Sequence, residues 1–368
     1  MVKIIDKINA VKKSFRHSYI IAAGVILLFV MSALVFVLHT QESQSDPVSE
    51  KIIREAAAKQ LGKDTNELTN EDIAQITSLI LRDIELRDIT FLGKFTNLEL
   101  LILGDISFPK KELPLLMRYL SKLGIIKLNK RFALDISPLE NLNHLHDLRI
   151  AYMHVKSIEP ISKMKNLKSL LLNTTNPSDL NLINNLTNLQ DLRLTGTYIS
   201  DLEPIRELVN LHTLLLEQTR VSDLEPLKKL KNLKTLVIRS SPVSNLEPLK
   251  ELSYLETLII QYTPVNNLIP LTKLTNLKIL NLDNVQIPDC EDIKNLTSLE
   301  ELHLIGKQFI NLEPLKNLTN LKLLDIVGCE NIDSKSLIIL EKTLPNLKIY
   351  RGMMSPTDKN KIPIRNTK

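Results

Sequence analysis

The chain has 368 residues, of which 43% are hydrophobic, yet only 4% are aromatic and tryptophan is absent. Its formal net charge of +5 comes from the two ends, because residues 1–18 hold five basic and one acidic residue and residues 346–368 hold six and one. The remainder is therefore acidic, which argues against a basic nucleic-acid groove, and nine glycines leave little scope for phosphate-binding loops.

The first predicted element is a membrane span. Residues 19–38, YIIAAGVILLFVMSALVFVL, carry no charge, and as a helix they would cover roughly 30 Å at about 1.5 Å per residue. Basic residues precede this run and Glu42, Asp46 and Glu50 follow it, which predicts a cytoplasmic segment 1–18 and an extracytoplasmic remainder, in a periplasm or at the cell surface. A cleaved signal peptide is the alternative, but VFVLHTQESQ lacks a small-x-small cleavage site, which favours an uncleaved signal anchor.

A short linker, residues 39–46, leads to a predicted helical cap at residues 47–75. Asp46 stands before a proline, which is typical of a helix start, and Thr69 with Asp72 matches a capping box. We therefore expect two helices that cover the first unit of the region that follows.

Residues 76–330 repeat with a period of 22 residues. The pattern L-x-x-L-x-L opens each unit, as in LHTLLL from Leu211 and LKTLVI from Leu233. Its first residue, the marker, falls at Ile76, Leu98, Leu123, Leu145, Leu167, Leu189, Leu211, Leu233, Leu255, Leu277, Leu299, Leu321 and Leu347. A period of about 20 to 29 with this pattern is typical of leucine-rich repeats, in which each unit gives one parallel strand and a return arm. We count roughly twelve repeats and a closing strand.

Strand periodicity predicts that Leu214 and Leu216 face the core, and that Thr213, Leu215 and Glu217 face outward. In the return arms a proline recurs at one position of the repeat, which predicts short 3₁₀ turns on the convex side. The asparagine before most markers is assigned to turn structure, and so is the Thr or Ser eight residues after the marker. Cys290 takes a leucine position and is predicted to be a core residue.

Two stretches depart from the repeat. Residues 105–122 have a longer return arm whose apolar residues show helical spacing, which predicts a short α-helix. Residues 331–352 predict an amphipathic helix and a closing strand that form a C-terminal cap, as terminal repeats require for solubility. Residues 353–368 are predicted to be a basic, disordered tail.

The frame L-x-x-L-x-L-x-x-T-x-I/V-x-D-L-x-P-L-x-x-L-x-N across residues 76–330 resembles the internalin-type bacterial leucine-rich repeat proteins. The expected fold is an α/β solenoid, a horseshoe with a parallel concave β-sheet, 3₁₀ turns on the convex side and helical caps at both ends. The resemblance also implies a protein partner on the concave sheet. The chain departs from the family in lacking an L-P-x-T-G motif and in having an uncharged span before the repeats.

Candidate chemistry is sparse. His144 and His146 flank an inward-facing marker and His154 lies on a return arm, so the repeat does not bring them into one metal site. The stretch from Asp64 lacks the glycine and the final acid of a calcium loop. We predict no catalytic, cofactor or metal site, and no enzyme activity.

Outward-facing residues instead predict a protein-binding concave face. An aliphatic row with charged residues beside it is the usual composition of such a surface, and an exposed tyrosine could anchor a partner. The candidate residues are Leu171, Arg193, Leu215, Glu217, Val237, Arg239, Ile259, Gln261 and Tyr262.

The sequence thus predicts a single-pass membrane protein of the bacterial cell envelope, held in the lipid bilayer by residues 19–38. Its repeat domain would bind a protein partner on the concave face outside the cytoplasm, with no nucleic acid or small-molecule substrate. The alternative is a structural scaffold of an envelope membrane complex without a concave-face ligand.

Overall fold

A computed structural model describes residues 46–81, 86–104, 133–151, 153, 155–173, 180–287, 289–306, 311–329 and 332–351. The chain divides into two units, Met1–Ser45 and Asp46–Lys368, and every described residue belongs to the second. The predicted cytoplasmic segment 1–18, the membrane span 19–38 and the basic tail 353–368 lie outside the described residues. Within the described ranges, no helix has the length and apolar character needed to cross a membrane.

The described chain begins with helix α1, Pro47–Leu61. The side chain of Asp46 accepts a hydrogen bond from the backbone N–H of Val48, and a proline suits the first helical position because no N–H is needed there. Gly62, with φ 65°, ends the helix in the left-handed conformation. The predicted helix start at Asp46 is confirmed.

Helix α2, Asn70–Ala74, completes the N-terminal cap. Thr69 Oγ1 accepts a hydrogen bond from the Asp72 N–H at 3.1 Å, and the Asp72 carboxylate accepts one from the Thr69 N–H at 3.0 Å. This is the predicted capping box. Ile53 of α1 and Ile73 of α2 are buried in the same core as the repeats, so the helices extend that core beyond the first strand.

Twelve parallel strands form one sheet, and each pairs with the next along the chain. They are β1 Ser78–Leu81, β2 Leu100–Leu103, β3 Asp147–Ala151, β4 Ser169–Asn173, β5 Asp191–Thr195, β6 Thr213–Glu217, β7 Thr235–Arg239, β8 Thr257–Gln261, β9 Ile279–Asn281, β10 Glu301–His303, β11 Leu323–Asp325 and β12 Lys348–Tyr350. In β6, Leu214 and Leu216 are fully buried in the core, and the alternate residues lie on the opposite face. The solenoid fold and its inward leucines are as predicted.

The return arms contain short 3₁₀ turns, as predicted. They are Thr90–Lys94, Ser137–Leu139, Glu159–Lys163, Leu180–Ile183, Glu203–Ile205, Glu225–Lys229, Glu247–Glu251, Ile269–Lys273, Glu291–Ile293 and Glu313–Asn317. In the turn Glu225–Lys229, Pro226 and Leu227 are buried, and Asp223 Oδ1 accepts a hydrogen bond from the Glu225 N–H at 2.9 Å. Cys290 is fully buried in the core, in agreement with its predicted role.

Asparagines that precede the marker join neighbouring repeats. Asn232 Nδ2 donates to the backbone carbonyl of Val209, 23 residues earlier, at 2.9 Å. The same bond is made by Asn97, Asn166, Asn188, Asn210, Asn276 and Asn320. The predicted structural role of these residues is confirmed.

The Thr and Ser residues eight positions after the marker follow the prediction only in part. The Oγ atoms of Thr219 and Ser241 lie 2.9 Å apart, so these hydroxyls bond one another across adjacent repeats. Ser241 also donates to the carbonyl of Arg239 at 3.2 Å. The buried hydroxyls of Thr197 and Thr263 have no hydrogen-bond partner among the described residues. Stacking of like positions therefore brings hydroxyls to each other as well as to the turn backbone.

Leu123 lies outside the described residues, and the expectation that its repeat adds a strand between β2 and β3 is wrong. Strand β2 pairs directly with β3, with Leu100 opposite Asp147, which leaves no space for a strand between them. The ends of these strands are also in close contact. A Cβ atom added to Gly104 would lie only 1.9 Å from the carbonyl oxygen of Ala151. Residues 105–132, including the helix predicted at 105–122, lie outside the described residues and form an insertion in sequence between two paired strands.

The C-terminal cap consists of helix α3, Ser334–Thr343, and strand β12. Asp333 caps the helix by accepting hydrogen bonds from the N–H groups of Lys335 and Ser336. Leu340 is fully buried, and Ser336 Oγ accepts a hydrogen bond from the Leu312 N–H at 3.2 Å. This helix therefore packs against the last repeat.

Candidate functional site

The concave face is the side of the sheet opposite the core. The centre row, defined as the middle outward residue of each strand, consists of Ile80, Ile102, Arg149, Leu171, Arg193, Leu215, Val237, Ile259, Asn281, His303, Asp325 and Tyr350. The parallel register places each member directly beside the next. The row changes from mainly aliphatic residues to polar residues after β8.

The aliphatic patch comprises Leu171, Leu215, Val237 and Ile259. Leu171 and Leu215 are half-buried, whereas Val237 and Ile259 are only 6% and 8% exposed, so the expectation that all four are open to solvent is corrected. Adjacent strands are about 4.8 Å apart, and side chains on the inner face of a curved sheet cover one another at that spacing. The patch is therefore a packed apolar surface with its outer atoms open.

Arg193 interrupts this patch and is fixed by its own strand. Its Nε and Nη2 atoms donate to the two carboxylate oxygens of Asp191 at 3.0 and 2.8 Å. The hydrogen bonds to Asp191 raise the pKa of the Arg193 guanidinium, although burial acts in the opposite direction. Arg193 is thus a permanently charged, oriented group on the concave face.

Glu217 and Arg239 lie beside the patch on neighbouring strands, β6 and β7. Arg239 Nη1 is 3.7 Å from Glu217 Oε1, and Arg239 Nε is buried without a hydrogen-bond partner in the described part of the chain. The structure therefore brings these two predicted site residues together.

Gln261 is less accessible than the predicted contact role requires. It is only 6% exposed, and its Nε2 atom donates to Asn281 Oδ1 at 3.0 Å and to Asp283 Oδ2 at 2.7 Å. The approach of the next strand causes this burial. The residue orients its polar neighbours.

Tyr262 is 61% exposed, and its backbone has φ 53°. The residue occupies a left-handed position that recurs at the end of the strands in Gly196, Gln218, Ser240, Tyr262, Asn284, Gly306 and Gly328. The backbone N–H at this position donates to the next repeat, as Tyr262 does to the Asp283 carbonyl at 3.2 Å. Glycines spaced by multiples of the repeat are the sequence signal that could have identified this conformation.

A group of polar residues lies at the C-terminal end of the concave face. These residues were not among the predicted site residues. The acidic cluster consists of Asp283, Glu301 and Asp325 around His303, which is 8% exposed. His303 Nδ1 is 3.6 Å from Asp325 Oδ2, and His303 Nε2 is 3.8 Å from Glu301 Oε2. Burial alone lowers the pKa of His303, but Asp325, Asp283 and Glu301 outweigh it and raise the pKa above its ordinary value.

These groups do not form a metal site. Among the described residues, no group of three or more His, Cys, Asp or Glu side chains is arranged to hold a metal ion. Of the histidines considered from the sequence, His144 and His146 lie beside a strand and His154 is outside the described residues. The arrangement is suited to recognition through apolar contact, charge and hydrogen bonds.

Sequence comparison identifies the repeats. Residues 209–251 match a family model described as leucine rich repeats, in two copies. No curated protein matches the chain. The described residues from β1 to β12 thus form a leucine-rich repeat solenoid.

Solved structures share this fold. An internalin (inlF) from Listeria monocytogenes is 25% identical, with a TM-score of 0.57 and coverage of 86% of this chain and 100% of that chain. A leucine-rich repeat protein from Leptospira interrogans is 20% identical, with a TM-score of 0.54 and coverage of 77% and 80%. The functional domain of InlJ from Listeria monocytogenes is 19% identical, with a TM-score of 0.53 and coverage of 86% and 73%. The repeat domain is therefore similar in fold to these internalin and leucine-rich repeat structures.

Proposed function

We propose that this protein binds a protein partner on its concave face. The observation that carries the proposal is the aliphatic patch, which lies between oriented charged groups on an open sheet face. Apolar contact surrounded by polar groups is typical of protein recognition, and a few aromatic and arginine residues commonly dominate the binding energy. Tyr262 and Arg193 supply such groups beside the patch.

We also propose that residues 19–38 anchor the chain in the membrane and leave the repeats outside the cytoplasm. The uncharged length of this segment and the basic residues before it support the assignment. A protease added to intact spheroplasts should then remove the repeat domain, whereas residues 1–18 remain protected. Protection of the repeat domain would contradict this topology.

Photo-crosslinking in intact cells tests the binding surface in the full-length chain. A photoreactive amino acid is placed at Leu215 on the concave face or at Tyr262, directly after strand β8, and at Ile269 as the control. Ile269 is 57% exposed, close to the 61% of Tyr262, and lies in a 3₁₀ turn on the other side of the repeat. Each adduct is identified by mass spectrometry.

Adducts with one protein from Leu215 and Tyr262, and none from Ile269, are expected. Equal adducts from all three positions, or adducts from Ile269 alone, would instead favour the scaffold function through the convex side. Concave-face binding would then be rejected even if the membrane topology is as proposed.

A further inference from the structure

Acidic side chains on the earlier concave strands have arginine partners. The pairs are Asp147 with Arg149 at 2.7 Å, Asp191 with Arg193 at 2.8 Å and Glu217 with Arg239 at 3.7 Å. The first two arginines also donate through Nε, which fixes the guanidinium beside the carboxylate. Carboxylates on this part of the face are therefore neutralised within the chain.

Among the described residues, the acidic cluster lacks an equivalent arginine. Strands β9, β10 and β11 contain no lysine or arginine, so Asp283, Glu301 and Asp325 surround His303 instead. Asp283 is fixed by hydrogen bonds from Gln261 and from the backbone of the next repeat. Three carboxylates outnumber one imidazolium, so this end of the face remains negative whether or not His303 carries a proton.

A buried donor beside the acidic cluster lacks an acceptor among the described residues. Asn281 is 1% exposed, and its Oδ1 accepts hydrogen bonds from Gln261 Nε2 and the Asp283 N–H, which fixes the orientation of the amide. Asn281 Nδ2 then has no hydrogen-bond partner among the described residues, whereas His303 Nδ1 faces Asp325 Oδ2 at 3.6 Å. Buried polar groups are normally satisfied, so an acceptor supplied from outside the chain fits here.

We propose that the acidic cluster binds an extended segment of the partner protein that carries an arginine or lysine beside an apolar residue. This inference rests on the proposed function and names the chemistry that the concave face selects. The basic side chain lies beside Glu301 and Asp325 and supplies the positive charge that arginine supplies on the earlier strands. A backbone carbonyl of the segment accepts from Asn281 Nδ2, and the apolar residue packs on Ile259.

Selection of random peptides displayed on phage by the purified full-length chain tests this preference. The parent is compared with a double variant, Glu301→Gln and Asp325→Asn, which removes two charges with little change in shape. Asn at 325 keeps an oxygen for the Val327 N–H, which Asp325 Oδ1 accepts at 3.1 Å. The matched control, Glu247→Gln with Glu313→Gln, removes two carboxylates from 3₁₀ turns.

The parent and the control should enrich peptides with Arg or Lys next to an apolar residue. The double variant should lose the basic preference, and fluorescence anisotropy should show about tenfold weaker binding of a labelled peptide selected by the parent. The proposal would be overturned if the parent selected peptides without basic residues. It would also be overturned if the double variant bound the labelled peptide with unchanged affinity.

A variant in the aliphatic patch and a truncated chain complete the experiment. Ile259→Arg places a charge where the apolar residue of the segment would pack; if selection gives the same peptides at the same affinity in this variant, the concave-face function itself fails. A chain that ends at Arg351 tests whether the basic residues 352–368 occupy the cluster. If basic peptides are selected only after this truncation, the chain's own tail is the occupant and the partner assignment is wrong.

Discussion

At single residues, the backbone angle φ identifies positions where the fold favours glycine although another residue is present. Gln218, Ser240, Tyr262 and Asn284 are the non-glycine residues with positive φ in the described chain, and they occupy a position that other repeats fill with glycine. An L-residue in the left-handed region costs about 1–2 kcal/mol relative to glycine. Tyr262 is the bulkiest of the four, and only glycine at this position would avoid the backbone strain.

Tyr262→Gly should therefore be more stable than Tyr262→Ala by about 1 kcal/mol, because both remove the ring and only glycine accepts φ 53° without strain. Chemical unfolding of both variants measures the difference. If the two variants have equal free energies of unfolding, the backbone at this position is not strained. Both variants should weaken partner binding, and that second measurement shows what the ring contributes.

His303 should make stability depend on pH. Its pKa is raised from 6.5 on folding, so its stabilising contribution is fully present below that value and is lost as pH rises through the folded pKa. The loss of unfolding free energy caused by His303→Gln should thus shrink between about pH 6 and pH 8. His212→Gln, outside the acidic cluster, is the control. A constant difference across this range would contradict the charged interaction.

The candidate site could be only partly predicted at the residue scale. A period of two places Leu215, Val237 and Ile259 on the concave face, and the register confirms this. Their exposure depends on the neighbouring strands, which a single repeat does not reveal. Asn281 and His303 likewise become one cluster only when strand pairing joins residues 22 positions apart.

Among the elements, the pairing of β2 with β3 departs most from the sequence period. The LGIIKL stretch from Leu123 matches a strand motif as well as its neighbours do. A local motif indicates that a segment can form a strand. The hydrogen-bonded register shows whether that strand belongs to the sheet. Leu100 opposite Asp147 excludes that segment from the sheet between β2 and β3.

Gly104→Ala tests this pairing. The added Cβ would lie 1.9 Å from the Ala151 carbonyl oxygen, and φ is 86°, so we expect a loss of about 3 kcal/mol or more. Gly93→Ala is the control, because its Cβ would meet the Pro138 carbonyl oxygen at an ordinary 3.6 Å. Thermal unfolding of the two variants provides the comparison. Equal stability would mean that β3 does not follow β2 directly.

At the scale of the whole molecule, the 22-residue period gives the repeats equal length, so one repeat can replace another without a change of register. Strand register, the 3₁₀ turns and the asparagine bonds recur together, so sequence alone predicts the solenoid correctly. The stability of such a molecule is approximately a sum over repeats and their contacts. The fold is therefore easier to predict than the residues that a partner would contact. Every repeat carries the sequence pattern of the fold, whereas only a few repeats contribute to the candidate site.

Deletion of residues 213–234 should leave a folded, less stable protein. The deletion joins His212 to Thr235, so β7 takes the position of β6 in the same register. Deletion of residues 213–223 removes half a unit and should prevent cooperative folding. Circular dichroism and denaturant titration distinguish these outcomes. If both deletions unfold the chain, the repeats are not independent in the way that their geometry indicates.

The last strand has a consequence for self-association. Strand β12 has three residues, begins with Lys348 and pairs with β11 on one side. Long, flat, apolar sheet edges invite other chains to add a strand, and a short edge with a lysine resists that process. The short C-terminal edge therefore makes end-to-end polymerisation through added strands unfavourable.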